Sequence, residues 1–330
     1  MTYRLTDKWI WDFWLARDVD AYHLFHLQAD RALGDPDLRH WNASIGHAVS
    51  TDLVRWQSLG TCFAPAPGPA WDDGTTWTGS VFRHRDRWHL FYTGTARADD
   101  CRKQRIGLAT SDDLHRWTRQ PGNPVLDLDP SAYEEYDPAL WHDRAWRDPY
   151  VFADPAGDGF RMVFTARVNH GTADGRGVVA QARSDDLVRW RLTEPLVGPG
   201  SFGQLEVPQP VRIAGRWYML FSTAAIHIAA AERARTSTGP GRHAGTHYYM
   251  ADAIDGPWRM PARPYLTDGD GPVLYSGKIV EDPAGRPVFL AFHDAGPDGR
   301  FVGELSDPIP VRVGPDGALS LDRRAVSSAR

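Results

Sequence analysis

The chain of 330 residues is poor in cysteine, with only Cys62 and Cys101. Two cysteines provide neither a disulfide framework nor the clustered spacing of a metal site, so no metal and no cofactor is expected. No apolar run approaches the roughly 20 residues that a membrane helix needs. No stretch pairs a basic n-region with an apolar h-region, which gives the expectation of a soluble, cytoplasmic protein without a membrane partner. Basic residues are scattered through a chain of formal net charge −5, which argues against a nucleic-acid surface. Helical periodicity is also scarce, and the best candidate is the alanine-rich AAIHIAAAERAR at 224–235.

What is abundant is Trp (14), Gly (31) and Pro (25). Short β-branched and aromatic runs alternate with Gly/Asp/Pro turns, as in RWHLFYTG, FRMVFTAR, RWYMLFST and RPVFLAFH. That pattern predicts an all-β fold of short strands.

One phrase recurs: GHAVSTDLVRW (46–56), GLATSDDLHRW (107–117) and AQARSDDLVRW (180–190). YMADAIDGPW (249–258) is a degenerate fourth copy, and GELSDPIPV (303–311) is read as a fifth. Each copy follows a strand of the RWHLFYTG type. In the turn S-x-D-L the Asp can accept backbone N–H bonds, while Leu and the later Trp pack between neighbouring units. Five antiparallel four-stranded units arranged radially make a five-bladed β-propeller, read here as a single catalytic domain over 1–330. A propeller carries its ligand at the mouth of the central channel.

The innermost strands open each unit: WIWDFW (9–14), TWTGSVF (76–82), WRDPYVF (146–152), QLEVPQPV (204–211) and YSGKIVED (275–282). Three of them carry an acid near the same place: Asp12, Asp148 and Glu206. Simple alternation along the first strand would set Trp9, Trp11 and Phe13 on one face and Asp12 and Trp14 on the other. Like charges meeting at a propeller axis repel, so their recurrence at equivalent positions points to chemistry. A carboxylate pair across a bound sugar is the equipment for glycosidic cleavage. Asp12 on a fixed strand suits a nucleophile or base, and the longer Glu206 suits a proton donor. Asp148 can hold ring hydroxyls against an oxocarbenium-like transition state. Trp11, Trp14 and Trp77 are candidate stacking faces, and Thr78, Arg147, Gln28, Asn42, Gln204 and His293 candidate polar lining.

These motifs resemble the clan of five-bladed furanosidases that contains invertases, levanases and levansucrases. YHLFHLQ (22–28) with GHAVSTDLVRW is similar to the invertase first blade, and WDFW (11–14) to the Trp-Asp-x-Trp of levansucrases. TWTGSV (76–81) resembles the clan's Trp-Ser-Gly-Ser, WRDP (146–149) its Arg-Asp-Pro, and LEVP (205–208) its Glu-Cys-Pro or Glu-Arg-Pro. The resemblance covers roughly residues 9–310. It implies a sugar substrate, with Asp12 as nucleophile, Asp148 as transition-state stabiliser and Glu206 as acid/base. The invertase Asn-Asp-Pro-Asn-Gly loop is absent, and no C-terminal β-sandwich follows the fifth blade in this sequence. Three readings stay open: a retaining β-fructofuranosidase or fructosyltransferase, an inverting arabinofuranosidase-type enzyme, and a non-catalytic carbohydrate-binding propeller.

Overall fold

The computed structural model describes residues 2–235, 244–266 and 273–323. Five antiparallel sheets form in chain order. The first holds β1 (Lys8–Asp18), β2 (Ala21–Asp30), β3 (Ser44–Ser50) and β4 (Gln57–Phe63). The second holds β5 (Thr75–His84), β6 (Arg87–Thr95), β7 (Gln104–Ser111) and β8 (Thr118–Arg119). The third holds β9 (Trp146–Ala153), β10 (Phe160–Arg167), β11 (Gly177–Ser184) and β12 (Arg191–Val197). The fourth holds β13 (Glu206–Ile213), β14 (Arg216–Thr223) and β15 (Gly245–Ala251). In the fifth are β16 (Leu274–Glu281), β17 (Pro287–Ala295), β18 (Phe301–Leu305), β19 (Ile309–Val313) and β20 (Leu319–Leu321).

The first strands β1, β5, β9, β13 and β16 touch in ring order and close the ring, which makes a five-bladed propeller. Tyr3 locks the closure by exchanging backbone hydrogen bonds with Leu305 of the fifth blade, at 3.2 and 2.9 Å.

The core is a set of five apolar layers, one between each pair of neighbouring blades. Trp14, Phe25 and Tyr92 join blades one and two, while Phe91, Trp146 and Phe164 join two and three. Val163, Met219 and Phe221 join three and four, Leu220, Tyr248 and Phe289 join four and five, and Phe13, Leu24 and Leu290 join five and one. Successive residues of a middle strand feed opposite layers, as Leu24 and Phe25 do on β2. Burial on both faces is why these strands read as continuous apolar runs rather than as alternating ones.

The repeated phrase forms one turn three times. Ser50 Oγ accepts the N–H of Asp52 and Leu53, and Asp52 Oδ1 accepts those of Val54 and Arg55. Ser111–Asp113 and Ser184–Asp186 repeat the arrangement. The buried leucines take left-handed backbone, with φ of 63° at Leu53, 65° at Leu114 and 66° at Leu187.

Two blades depart from the expected four strands. After β15 the outer edge of blade four is reduced to the isolated bridges Met250–Arg259 and His247–Tyr265. Pro257, Pro261 and Pro264 fall in this segment, and proline offers no N–H to a ladder. In blade five GELSDPIPV is not a copy of the turn. β18 and β19 pair with β17 one after the other, so Ser306–Pro308 interrupts a third strand instead of ending it. The alanine-rich segment forms only the short helix α1 (Ala230–Arg235), after a 3-10 turn at Ala225–His227. Among the described residues no helix is long and apolar enough to cross a membrane.

Candidate active site

Each innermost strand carries one extra residue at the same height. On β1, Trp11 pairs with Leu27 and Phe13 with His26, leaving Asp12 without a partner. On β5, Thr78 is skipped between Trp77 and Gly79. The register also slips between Arg147 and Tyr150, between Glu206 and Gln209, and between Tyr275 and Lys278. A β-bulge bends its strand and re-aims a side chain. Here it occurs five times around the channel, with left-handed backbone at Asp148 (φ 62°), Val207 (φ 53°) and Ser276 (φ 51°).

The bulges align the blade openings as dipeptides: Trp11-Asp12, Trp77-Thr78, Arg147-Asp148, Glu206-Val207 and Tyr275-Ser276. Asp12 and Asp148 are therefore equivalent residues, whereas Glu206 stands one place earlier, equivalent to Arg147 and Tyr275.

All of these residues except Val207 and Ser276 line a cavity of about 360 Å³, together with Arg39, His40, Trp41, Arg102, His142, Asp143, Gln204, His227, Phe292 and Asp294. Asp12 accepts hydrogen bonds from Thr78 Oγ1 at 2.6 Å and from Ser276 Oγ. Burial pushes its carboxyl above the ordinary range. The two hydroxyls pull it back, Glu206 pushes it further up, and Lys278 opposes that. Asp148, only 4% exposed, takes Thr165 Oγ1 at 2.9 Å and Val207 N at 3.0 Å, both on Oδ2. Among the described residues its Oδ1 has no hydrogen-bond partner, and it is open to a ligand hydroxyl. Burial pushes Asp148 up to about 7, against Arg147, with Asp12 and Glu206 adding to the rise.

Arg147 ties the acids together. Its Nη2 donates to Glu206 Oε1 at 2.8 Å and Gln204 Oε1 at 2.7 Å, Nη1 reaches Asp143 at 3.3 Å, and Nε lies 3.6 Å from Asp148. Tyr275 donates its hydroxyl to Glu206 Oε2, so both carboxylate oxygens of Glu206 are held. Gln204 Nε2 hydrogen-bonds in turn with His227 Nδ1 at 2.8 Å.

Aromatic walls stand at the mouth. Trp77 Nε1 donates to His40 O at 2.8 Å, its ring lies 6.3 Å from that of Trp41, and the Arg102 guanidinium sits 4.8 Å over Trp41. Burial, with Arg39 and Arg147 nearby, pushes His40 down to about 3, so its imidazole is neutral. Among the described residues no group of three or more His, Cys, Asp or Glu could hold a metal ion.

Of the residues expected from sequence, the fold brings together Trp11, Asp12, Trp77, Thr78, Arg147, Asp148, Gln204 and Glu206. Four others do not line the cavity. The bulge at Asp12 resets the alternation, so Trp14 joins Trp11 in the layer between blades one and two, buried against Phe25. Gln28 lies one residue past the cavity-lining Leu27 and turns away to Thr61 Oγ1 at 2.7 Å. Asn42 is exposed and closes a 3-10 turn through Leu38 O at 2.9 Å. His293 alternates with the lining residues Phe292 and Asp294, and pairs with Glu304 at 3.1 Å.

Arg39, His40 and Trp41 come from the β2–β3 connection, a 3-10 turn over Pro36–Trp41 capped by Asp35. Asp35-Pro36 is its only sequence signal. His142 and Asp143 precede β9 in the polar run HDR (142–144), which stands out as a weak candidate in the sequence but has no spacing that assigns it a role. Tyr275 and Lys278 belong to the fifth opening, YSGKIVED, and the strand by itself assigns neither of them a partner.

Residues 15–297 match the glycosyl hydrolases family 32 N-terminal domain, a span that begins three residues after Asp12. Sucrose-6-phosphate hydrolase of Zymomonas mobilis strain ATCC 10988 is 27% identical over 286 residues, 83% of this chain and 50% of that protein. A bifunctional fructosyltransferase of Allium cepa, 6(G)-fructosyltransferase/2,1-fructan:2,1-fructan 1-fructosyltransferase, is 35% identical over 32% of this chain and 16% of its own length. The chain thus spans half or less of the curated relatives it matches. Among solved structures, inulosucrase from Halalkalicoccus jeotgali bound to kestose superposes with a TM-score of 0.76 at 22% identity, over 96% of this chain and 87% of that one. Bacillus subtilis levansucrase gives 0.70 at 14% identity, over the same shares, so both share the fold. From its match over most of its length, the chain belongs to the family of glycosyl hydrolases family 32 N-terminal domains.

Proposed function

We propose that the chain works as one catalytic unit that cleaves β-fructofuranosides of the sucrose or fructan type, with net retention at the anomeric carbon. The observation that carries this reading is the convergence of Asp12, Asp148 and Glu206 from three blades on one cavity, with Arg147 in contact with both Asp148 and Glu206. Family membership and the named activities of the relatives support the substrate class.

In this reading Asp12 attacks the anomeric carbon as the glycosidic C–O bond breaks, and Glu206 gives its proton to the leaving oxygen. Water, or the hydroxyl of a second sugar, then attacks the fructosyl–Asp12 ester. Glu206 takes that proton, and Asp12 leaves as carboxylate. Thr78 and Ser276 orient the Asp12 oxygens, and Asp148 Oδ1 accepts from ring hydroxyls as positive charge develops. Trp11 and Trp77 offer apolar faces to the sugar.

The test is to offer sucrose, a fructan oligomer and an arabinofuranoside side by side, and to follow the first-formed product by NMR. The expected result is release of β-fructose from the first two. First-formed product of inverted configuration would make Asp12 a base that activates water. Inertness on all three with measurable sugar binding would leave a binding propeller.

A further inference from the structure

Lys278 is the only lysine buried among the described residues, at 3% exposure, and it does not line the cavity. It sits on β16 two residues past the Ser276 bulge. Its Nζ donates to Val207 O at 2.7 Å, while Val207 N donates to Asp148 Oδ2 at 3.0 Å. Lysine and aspartate thus grip the two polar groups of the bulge residue that follows Glu206. Within four positions β16 reaches all three carboxylates: Tyr275 holds Glu206, Ser276 holds Asp12, and Lys278 reaches Asp148 through Val207.

Burying an ammonium is unfavourable unless it is compensated. Burial holds Lys278 down at about 7, and the charges that oppose this are Asp12 on β1 and Asp148 on β9. The other charged or titratable groups of the cluster are Arg147 on β9, Glu206 on β13 and Tyr275 on β16, with Asp143 beside Arg147 and with Arg39 and Asp294 at the mouth. Arg147 is committed to Asp143 and Glu206 at 3.3 and 2.8 Å. Asp12 has no basic side chain within ion-pair distance among the described residues, and Lys278 and Arg39 are the cations that act on it from further away.

We propose that Lys278 is a positioning residue of this active site: its side-chain amine holds the Val207 bulge that aims Glu206 and places a buried positive charge near the carboxyls of Asp12 and Asp148. This rests on the fructofuranosidase reading. A neutral side chain here would raise the carboxyl pKa of both aspartates, so the acidic limb of the pH–rate profile moves to higher pH.

The experiment compares wild type, Lys278→Met, Lys278→Gln and Lys278→Arg on sucrose across pH. Lys278→Met should lower kcat at least tenfold and move the acidic limb up by about one pH unit, with KM within about threefold. Lys278→Arg should keep the limb in place. Lys278→Gln retains an N–H donor without the charge, and carries the test if the apolar variant does not fold. An acidic limb left at the wild-type pH in the folded neutral variant, or moved equally in the arginine variant, overturns the proposal. Titration of ¹³C-labelled aspartate carboxyls in wild type and variant needs no turnover. Should wild type cleave no fructofuranoside, the functional reading fails, while a rise in the Asp12 and Asp148 midpoints still decides the role of Lys278.

Discussion

Aspartates recur at two heights of this propeller, and the fold treats them in opposite ways. At the blade ends Asp52, Asp113 and Asp186 sit in S-x-D-L turns where backbone N–H groups point at their oxygens. At the channel mouth Asp12 and Asp148 sit on strand bulges and line the cavity. Backbone N–H bonds from Arg116 and His115 hold Asp113 down at about 2, whereas burial lifts Asp148 to about 7. Both places spend a left-handed residue, Leu114 in the turn and Asp148 in the bulge. The turn repeats one solution because it serves packing alone. The bulge varies its residue from blade to blade, and that variation assembles a site. Repetition here marks stability and divergence marks chemistry.

The contrast can be broken at either place. Asp12→Asn should cost on the order of 10⁴-fold in kcat, since a residue acting within a catalytic unit is not replaced by its neighbours. The same variant should melt no earlier than wild type at neutral pH. Its folded pKa is raised above the unfolded value, so the stability linked to its protonation is lost as pH rises through the folded pKa, and the amide escapes that loss. Initial rates and thermal melts on one preparation check both halves. A variant that unfolds instead would place Asp12 among the structural aspartates.

Leu114→Ala should do the reverse. Leu114 is 1% exposed within the layer between blades one and two, so truncation should cost about 2–5 kcal/mol of stability and leave KM within error. Denaturant midpoints beside kinetic constants would show it, and a selective loss of kcat would mean that the turns communicate with the site.

Asp113→Asn should have the smallest effect, about 1 kcal/mol or less, because the amide keeps an acceptor for the turn but not the charge. Its sign is opposite to that of the site. The Asp113 pKa is depressed in the fold, so its stabilisation is present above the unfolded value near 3.8 and is lost as pH falls through about 2. The melting difference between wild type and variant should therefore be visible at pH 7 and absent near pH 2. A difference that persisted at pH 2 would mean that the charge is not what the turn uses.

Much of this was legible because it is local. Ser50, Asp52 and Leu53 need only each other to make their turn, and apolar runs of β length bounded by Gly, Asp and Pro define strands whatever surrounds them. The aspartate of WDFW stood out because an acid among tryptophans needs an explanation that the strand alone does not provide. What escaped depended on register. A single unpaired residue at Asp12 sends Trp14 into the core, and one extra residue in blade four sets Glu206, not its neighbour Val207, level with Arg147 and Tyr275.

The sequence by itself determined that there are five blade openings and which acids they hold, since strand, turn and repeat arise from interactions a few residues long. The tertiary structure alone decided what surrounds those acids. Arg39, His40 and Trp41 arrive from one loop, His142 and Asp143 from another, and Lys278 from β16, which lies between the strands of Asp12 and Val207. Their distances along the chain carry no signature, because ring closure and the five bulges, rather than any local preference, bring them within reach of one another.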